Sequence, residues 1–282
     1  MAYVVTTEYQ RSLRKEWIRH AVLAAVVAML LGLVVMHLDG SWWDYCYHDR
    51  FAEPPTHQPS ATLLLHITEV FVIICLGASL WDAIFESLKA WSIRPLLSAV
   101  DFAEMLDISS TILWYFGSLA IVKTVKYLVK DHSCSTHPNS ISGHNNFFMF
   151  VILSLPILRY GPPRLTSSRQ QDWKWKISYI SLVVVALWQL HRTYFYGYHS
   201  LRQIVYGAAF GVVNHTIWVL LLLKHRDMLP IISLILSVLS HLGCFIIAPC
   251  CKQSLKGTLI FLPLWVLAWN HAHKVKYRLL LP

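Results

Sequence analysis

Apolar residues recur along this chain in runs of roughly 15–22, each long enough to cross a hydrocarbon core of about 30 Å as a helix. The runs fall at 21–38, 61–81, 107–129, 145–159, 177–194, 204–223, 229–248 and 257–271. Inside lipid every backbone N–H and C=O must be satisfied within the segment, so runs of this kind are helices. The fourth and eighth are short, and the last two have an alternative as one re-entrant hairpin. The expected fold is all-α: a polytopic transmembrane helix bundle of about six to eight spans, forming one membrane domain over 1–282. Composition agrees. The chain is 56% hydrophobic and 14% charged, where soluble domains carry about 25% charge. Residues 82–106 set Trp81, Phe85, Leu88 and Trp91 against Glu86, Lys89 and Arg94, a pattern suited to a helix lying at the interface.

The formal net charge is +9. Its bases cluster beside apolar runs, and no basic motif is interleaved with exposed aromatics, so orientation in a membrane explains them and nucleic acid is not an expected partner. Arg11, Arg14, Lys15 and Arg19 precede the first run and place the N-terminus in the cytosol. That run reads as a retained signal anchor, since no cleavable signal peptide is evident. The acidic 39–60 loop faces out. Alternation then puts 130–144 and 195–203 outside, with Arg164, Arg169, Lys174, Lys176, Lys224 and Arg226 inside. The tail, with Lys274, Lys276 and Arg278, ends inside.

Some bases break the alternation. Lys123, Lys126, Lys130, Arg192 and Arg202 lie on or near the outer ends of the third, fifth and sixth runs. A single lysine there would simply snorkel to the headgroups. Several bases converging beside histidines point to an anion site. Lys123 and Lys130 are seven residues apart, two turns along one face of a continuous helix. Ser142-Gly143-His144 opens the fourth run, where free N–H groups and a partial positive charge suit a phosphate. Arg192, His199 and Gln203 stand at the mouth of the fifth and sixth. A neutral histidine can attack phosphorus while a second protonates the leaving oxygen. Gln203, one turn after His199, can hold one ring nitrogen and fix its tautomer.

These segments, in this order, resemble the type-2 phosphatidic acid phosphatase superfamily. Its pattern is Lys, six residues, Arg-Pro; then Pro-Ser-Gly-His; then Ser-Arg, five residues, His, three residues, Asp. Here it reads Lys123, six residues, Lys130-Asp131; Ile141-Ser142-Gly143-His144; and Arg192, six residues, His199, three residues, Gln203. The resemblance covers 107–223 and implies a phosphatase-type core of six helices, with His199 as nucleophile and His144 as general acid. Lys123, Lys130, Ser142, Gly143 and Arg192 would bind phosphoryl oxygens, without metal or cofactor.

The departures are specific. Lys130-Asp131 replaces Arg-Pro. One extra residue before His199 would turn Arg192 by about 100° on a helix. Gln203 in place of Asp can orient His199 but cannot offset an imidazolium charge. Ile-Ser-Gly-His and "YHSLRQIVYG" look most like the fat-storage-inducing transmembrane proteins. That branch implies luminal cleavage of the diphosphate of fatty acyl-CoA in the endoplasmic reticulum, tied to lipid droplets. A lipid phosphate or acyl-CoA-type substrate is the implied partner, with cytosolic termini and a luminal site. The alternatives are a dolichyl-diphosphatase-like or glucose-6-phosphatase-like hydrolase, a lipid head-group transferase, and a non-catalytic lipid-binding scaffold. A transporter ranks behind these, because no pair of short, broken spans marks a midplane site.

The remaining polar residues have plainer readings. His66, His215 and His241 are expected to pack or pair between helices, and His132, His137 and His191 to be solvated. Glu69 is a buried-carboxylate candidate. The sequon Asn214-His215-Thr216 lies within a span and is expected to be inert. None of the six cysteines forms a zinc-type pair. Cys46 and Cys134 both fall on the outer side, where a disulfide between them is permitted.

Overall fold

The computed structural model describes residues 7–37, 88, 89, 91, 102–131, 134, 140–161, 173–195, 198–247 and 252–278. Among these residues there are seven helices and no strand. They are α1 (Thr7–His37), α2 (Phe102–Val129), α3 (Gly143–Tyr160), α4 (Trp173–Phe195), α5 (Leu201–Lys224), α6 (Leu229–Ile247) and α7 (Lys252–Arg278). Each coincides with an expected apolar run. The run at 61–81, with His66 and Glu69, and the residues Cys46, His132 and His137 lie outside the described residues. Of the expected interfacial helix at 82–106, the last residues belong instead to α2, which starts at Phe102. Leu88 and Trp91 are highly exposed.

Four helices are long and apolar enough to cross a membrane: Glu8–Val35 of α1, Met105–Val129 of α2, α5 and α6. α3, α4 and α7 sit on the other expected runs but are less apolar. The outer surface supports a multi-pass membrane protein. Leu23, Leu30 and Leu31 of α1, Ile180 and Leu187 of α4, Leu239 and Ile246 of α6, and Ile260 of α7 are all exposed. Apolar faces of this extent are stable against lipid and would be a liability in water.

α2 is the axis of the assembly. α6 and α7 lie mainly against it and meet each other at Ser237 and Thr258, whose hydroxyls are 3.2 Å apart. Small residues permit this closeness, as between helices in membranes generally. A Cβ on Gly117 would come within 3.0 Å of the Ser237 backbone, and one on Gly257 would overlap the Phe116 ring. On the other side α1 and α3 pack along α5. Tyr115, Phe147, Phe150 and Trp218 interlock between α2, α3 and α5, with ring centroids 4.8–6.3 Å apart in contacting pairs.

Buried polar pairs fix the register. Trp114 Nε1 donates to Asn214 Oδ1 at 2.7 Å, and Asn214 Nδ2 donates to Ser118 Oγ at 2.7 Å. Trp218 Nε1 donates to Thr111 Oγ1 at 3.2 Å. At the far end the Arg226 guanidinium grips the Asp107 carboxylate through Nη2 (2.6 Å) and Nε (3.3 Å). These contacts make α2 and α5 antiparallel. α3 and α5 run parallel, since Ser142 meets Gly207, Asn146 meets Gly211, and Ser154 Oγ lies 2.9 Å from His215 Nδ1. The N-termini of α3 and α5 therefore open at the same end of the bundle, where α2 finishes.

Candidate functional site

Two serine-capped helix starts build the site. Ser142 caps α3: its hydroxyl oxygen accepts from Asn145 N–H (3.4 Å) and Asn145 Nδ2 (2.8 Å). Ser200 caps α5 through a capping box, its hydroxyl accepting from Gln203 N–H at 3.4 Å while Gln203 Oε1 accepts from Ser200 N–H at 3.3 Å. The two starts are stitched together. Ser142 N–H donates to the Gln203 carbonyl at 3.0 Å, and Gly207 leaves no room for a side chain against the Ser142 carbonyl. Two partial positive helix ends thus sit side by side.

His199 is buried immediately before this cap, 4% exposed. Its backbone N–H and that of Tyr198 both donate to the Thr193 carbonyl, at 3.3 and 3.1 Å, which ties the segment to the end of α4. Its Nδ1 lies 3.0 Å from Gln203 Oε1. The Ser200 N–H can only donate, so the atom it meets is the amide oxygen. His199 Nδ1 must then carry the proton, and Nε2 is left as the basic nitrogen. The other end of the Gln203 amide agrees: Nε2 donates to Asp131 Oδ2 at 2.8 Å. Gln203 is 1% exposed.

His144 is the second residue of α3, half-buried and ahead of the apolar 145–159 run. Burial, and then the charge of Lys126, push its imidazole down from 6.5 to about 4. A Cβ on Gly143 would meet nothing nearer than Leu119 Cδ1 at 4.0 Å. Packing does not demand a glycine there, and the backbone at this helix start is open to close approach.

The cations are placed differently from their sequence spacing. Lys123 and Lys126 are half-buried on the last turns of α2. Lys130 lies beyond the helix end, exposed and left-handed at φ 53°, with its N–H on the Lys126 carbonyl at 3.1 Å. It therefore does not continue the face of Lys123. Lys126, not singled out by the motif, is the lysine whose charge bears on His144. Arg192 and His199 are not on one helix, because α4 ends at Phe195 and α5 starts at Leu201, so helical spacing does not govern their relation. The Arg192 guanidinium lies over the Trp188 ring, 5.1 Å from its centroid.

Three residues contribute beyond the motif. Asp131 stands where the superfamily pattern has Pro, and its carboxylate accepts from Gln203 Nε2. Gly207 and Gly211, four residues apart, were a readable signal for close helix approach. Cys134 and Cys244 are each in a disulfide, and Cys244 packs with Ala120 and Tyr127 on the C-terminal half of α2. Among the described residues no three His, Cys, Asp or Glu side chains are grouped as metal ligands would be. Neither a protein-family model, nor a curated protein, nor a solved structure matches the chain.

Proposed function

We propose that the chain is a membrane-embedded hydrolase of a phosphoester or diphosphate on an amphiphilic substrate. The observation that carries this reading is the amide-locked tautomer of His199 at a helix start stitched to the Ser142-Gly143-His144 corner. His144 takes up a proton as the anionic substrate docks beside Lys126; Nε2 of His199 then attacks phosphorus, the bond to the leaving oxygen breaks, and the His144 proton goes to that oxygen. Water then attacks the phosphohistidine, giving its proton to His144. The P–N bond breaks and phosphate leaves. The two helix N-termini with Lys123 and Lys126 offset the charge on the phosphoryl oxygens.

The organelle and sidedness extend the same reading. The disulfide bonding of Cys134 and Cys244 at the site end favours an oxidising compartment there. That fits a luminal site in the endoplasmic reticulum, termini in the cytosol, and a fatty acyl-CoA-type diphosphate as substrate. The resemblance to the fat-storage-inducing branch supports this choice and a role in lipid homeostasis.

The test is phosphate release by purified protein in detergent across acyl-CoA, phosphatidic acid, a polyprenyl diphosphate and a sugar phosphate. Turnover abolished by both His199→Ala and His144→Ala is the expected result. A folded protein that turns over none of them, or that survives loss of His199, defeats the hydrolase reading.

A further inference from the structure

The carboxylate that Gln203 lacks is supplied from another helix. Asp131 follows the last turn of α2. The helix stops because Lys130 adopts the left-handed conformation, uncommon for a residue with a side chain. The chain turns there, and Asp131, half-buried, accepts from Gln203 Nε2 at 2.8 Å. Gln203 in turn accepts through Oε1 from His199 Nδ1 at 3.0 Å. The result is an unbroken line from carboxylate through amide to imidazole. Hydrogen bonds in such a line polarise one another.

We infer that Asp131 is a positioning residue for His199, acting through Gln203: it holds the amide so that its oxygen faces Nδ1, and it places a negative charge behind the ring. The inference takes His199 as the attacking group, and so rests on the function proposed above. An amide alone can orient a histidine but cannot offset the positive charge that develops on it. An amide backed by a carboxylate does both. The setting makes the charge valuable. Lys123 and Lys126 come from α2, Lys130 from the turn just after it, His144 from α3, Arg192 from α4 and Arg202 from α5. Among the described residues Asp131 is the acid at this end: Glu104 and Asp107 belong to the start of α2, Asp227 follows the end of α5, and Glu8 and Glu16 precede Ala21 of α1, whose carbonyl meets Thr216 in the second half of α5.

The test has two arms on the full-length protein in detergent. The first needs no turnover: histidine ring NMR follows His199, assigned by its loss in His199→Ala. In Asp131→Asn the asparagine oxygen can still accept from Gln203, so the geometry survives and only the charge is lost. The His199 pKa is expected to fall by about one unit, the effect of removing a charge a few bonds away in a partly buried site. The second arm is phosphate release in a double-mutant cycle. Asp131→Asn is expected to lower kcat/KM about tenfold in the native background. In a Gln203→Glu background, where Asp131 would repel the new carboxylate, the same change is expected to raise it. A merely structural role would lower activity in both. An unmoved His199 pKa in folded Asp131→Asn, or a loss of the same size in both backgrounds, overturns the inference. Activity that survives His199→Ala defeats the hydrolase reading instead, and the NMR arm still judges Asp131.

Discussion

Ser142 N–H donates to the main-chain carbonyl of Gln203 at 3.0 Å. One hydrogen bond thus fixes the start of the helix that carries His144 to the start of the helix that follows His199. The bond needs the two backbones close together, and Gly207 and Gly211 permit it.

Gly207→Ala is therefore expected to damage the site without touching either histidine. Its Cβ would overlap the Ser142 carbonyl, and that of Gly211→Ala would come within 2.6 Å of the Asn146 carbonyl. The opposing atoms are backbone and cannot swing aside. Each change should cost about 1–3 kcal/mol, in the range of overpacking. Gly32→Ala and Gly243→Ala, with nothing within 4 Å, are the controls and should match or slightly exceed the parent. Thermal unfolding in detergent checks all four. Equal behaviour of Gly207→Ala and Gly32→Ala would show that α3 and α5 are not in contact.

Much of the fold was legible because lipid simplifies the problem. A long apolar run has one way to satisfy its backbone, so the helices fall where the runs fall. The pairing of helices was less legible. It depends on single small or polar residues such as Gly117 against Ser237, or Asn214 between Trp114 and Ser118, whose partners lie far away in sequence. The contact of His199 with Gln203 was legible from their four-residue spacing, and the place of His144 at a helix start from the Ser-Gly-His corner that opens the fourth run. Asp131 was not, because its contact crosses 72 residues and depends on where α2 stops. Lys130 falls off the face of Lys123 for the same reason, because α2 stops at Val129: a spacing carries meaning only where the helix continues.

The Asp107–Arg226 pair should respond unequally to loss of its two members. The Asp107 side chain is 7% exposed and that of Arg226 is 42% exposed. Arg226→Ala leaves a carboxylate buried without its guanidinium, a change costing about 3–5 kcal/mol in buried pairs. Asp107→Ala frees an arginine that can extend to the headgroups, so its cost should be smaller. Unfolding midpoints of the two variants decide the order, and a larger loss for Asp107→Ala would contradict it.

The sequon at Asn214 should carry no glycan. Both ends of its amide are engaged, by Trp114 and by Ser118, inside the helix pair. Glycosidase treatment of protein expressed in eukaryotic cells is expected to leave its mobility unchanged. Asn214→Leu should instead lower stability by about 1–2 kcal/mol, because the indole N–H of Trp114 loses its acceptor. A glycosidase-sensitive shift lost in that variant would mean that Asn214 is not buried.

Anion binding should carry a pH signature from His144. With its pKa held at about 4, the imidazole is neutral at physiological pH. A tetrahedral dianion docking beside Lys126 counters that lysine's charge and raises the histidine pKa. Binding then takes up a proton at any pH between the free and the bound values. Sulfate, which does not titrate in this range, should bind best and uniformly below about pH 4, weaken by about tenfold per unit up to the bound pKa, and then level off. His144→Ala should remove that slope. A slope that persists in the variant would assign the proton to another group.

Lys126 and Lys130 should part company although they flank the same turn. Lys126 is half-buried and its charge reaches His144. Lys130 is exposed and holds a left-handed backbone. Removing a charge that faces the developing phosphoryl anion costs about 10²–10³ in kcat at comparable sites, so Lys126→Met should fall in or near that range. Lys130→Gly should keep most of the activity. It should also gain up to about 1 kcal/mol of stability, because glycine adopts φ 53° without a Cβ penalty. Kinetics and unfolding on the same preparations separate the two effects. If Lys130→Gly is more stable yet inactive, Lys130 rather than Lys126 grips the phosphate.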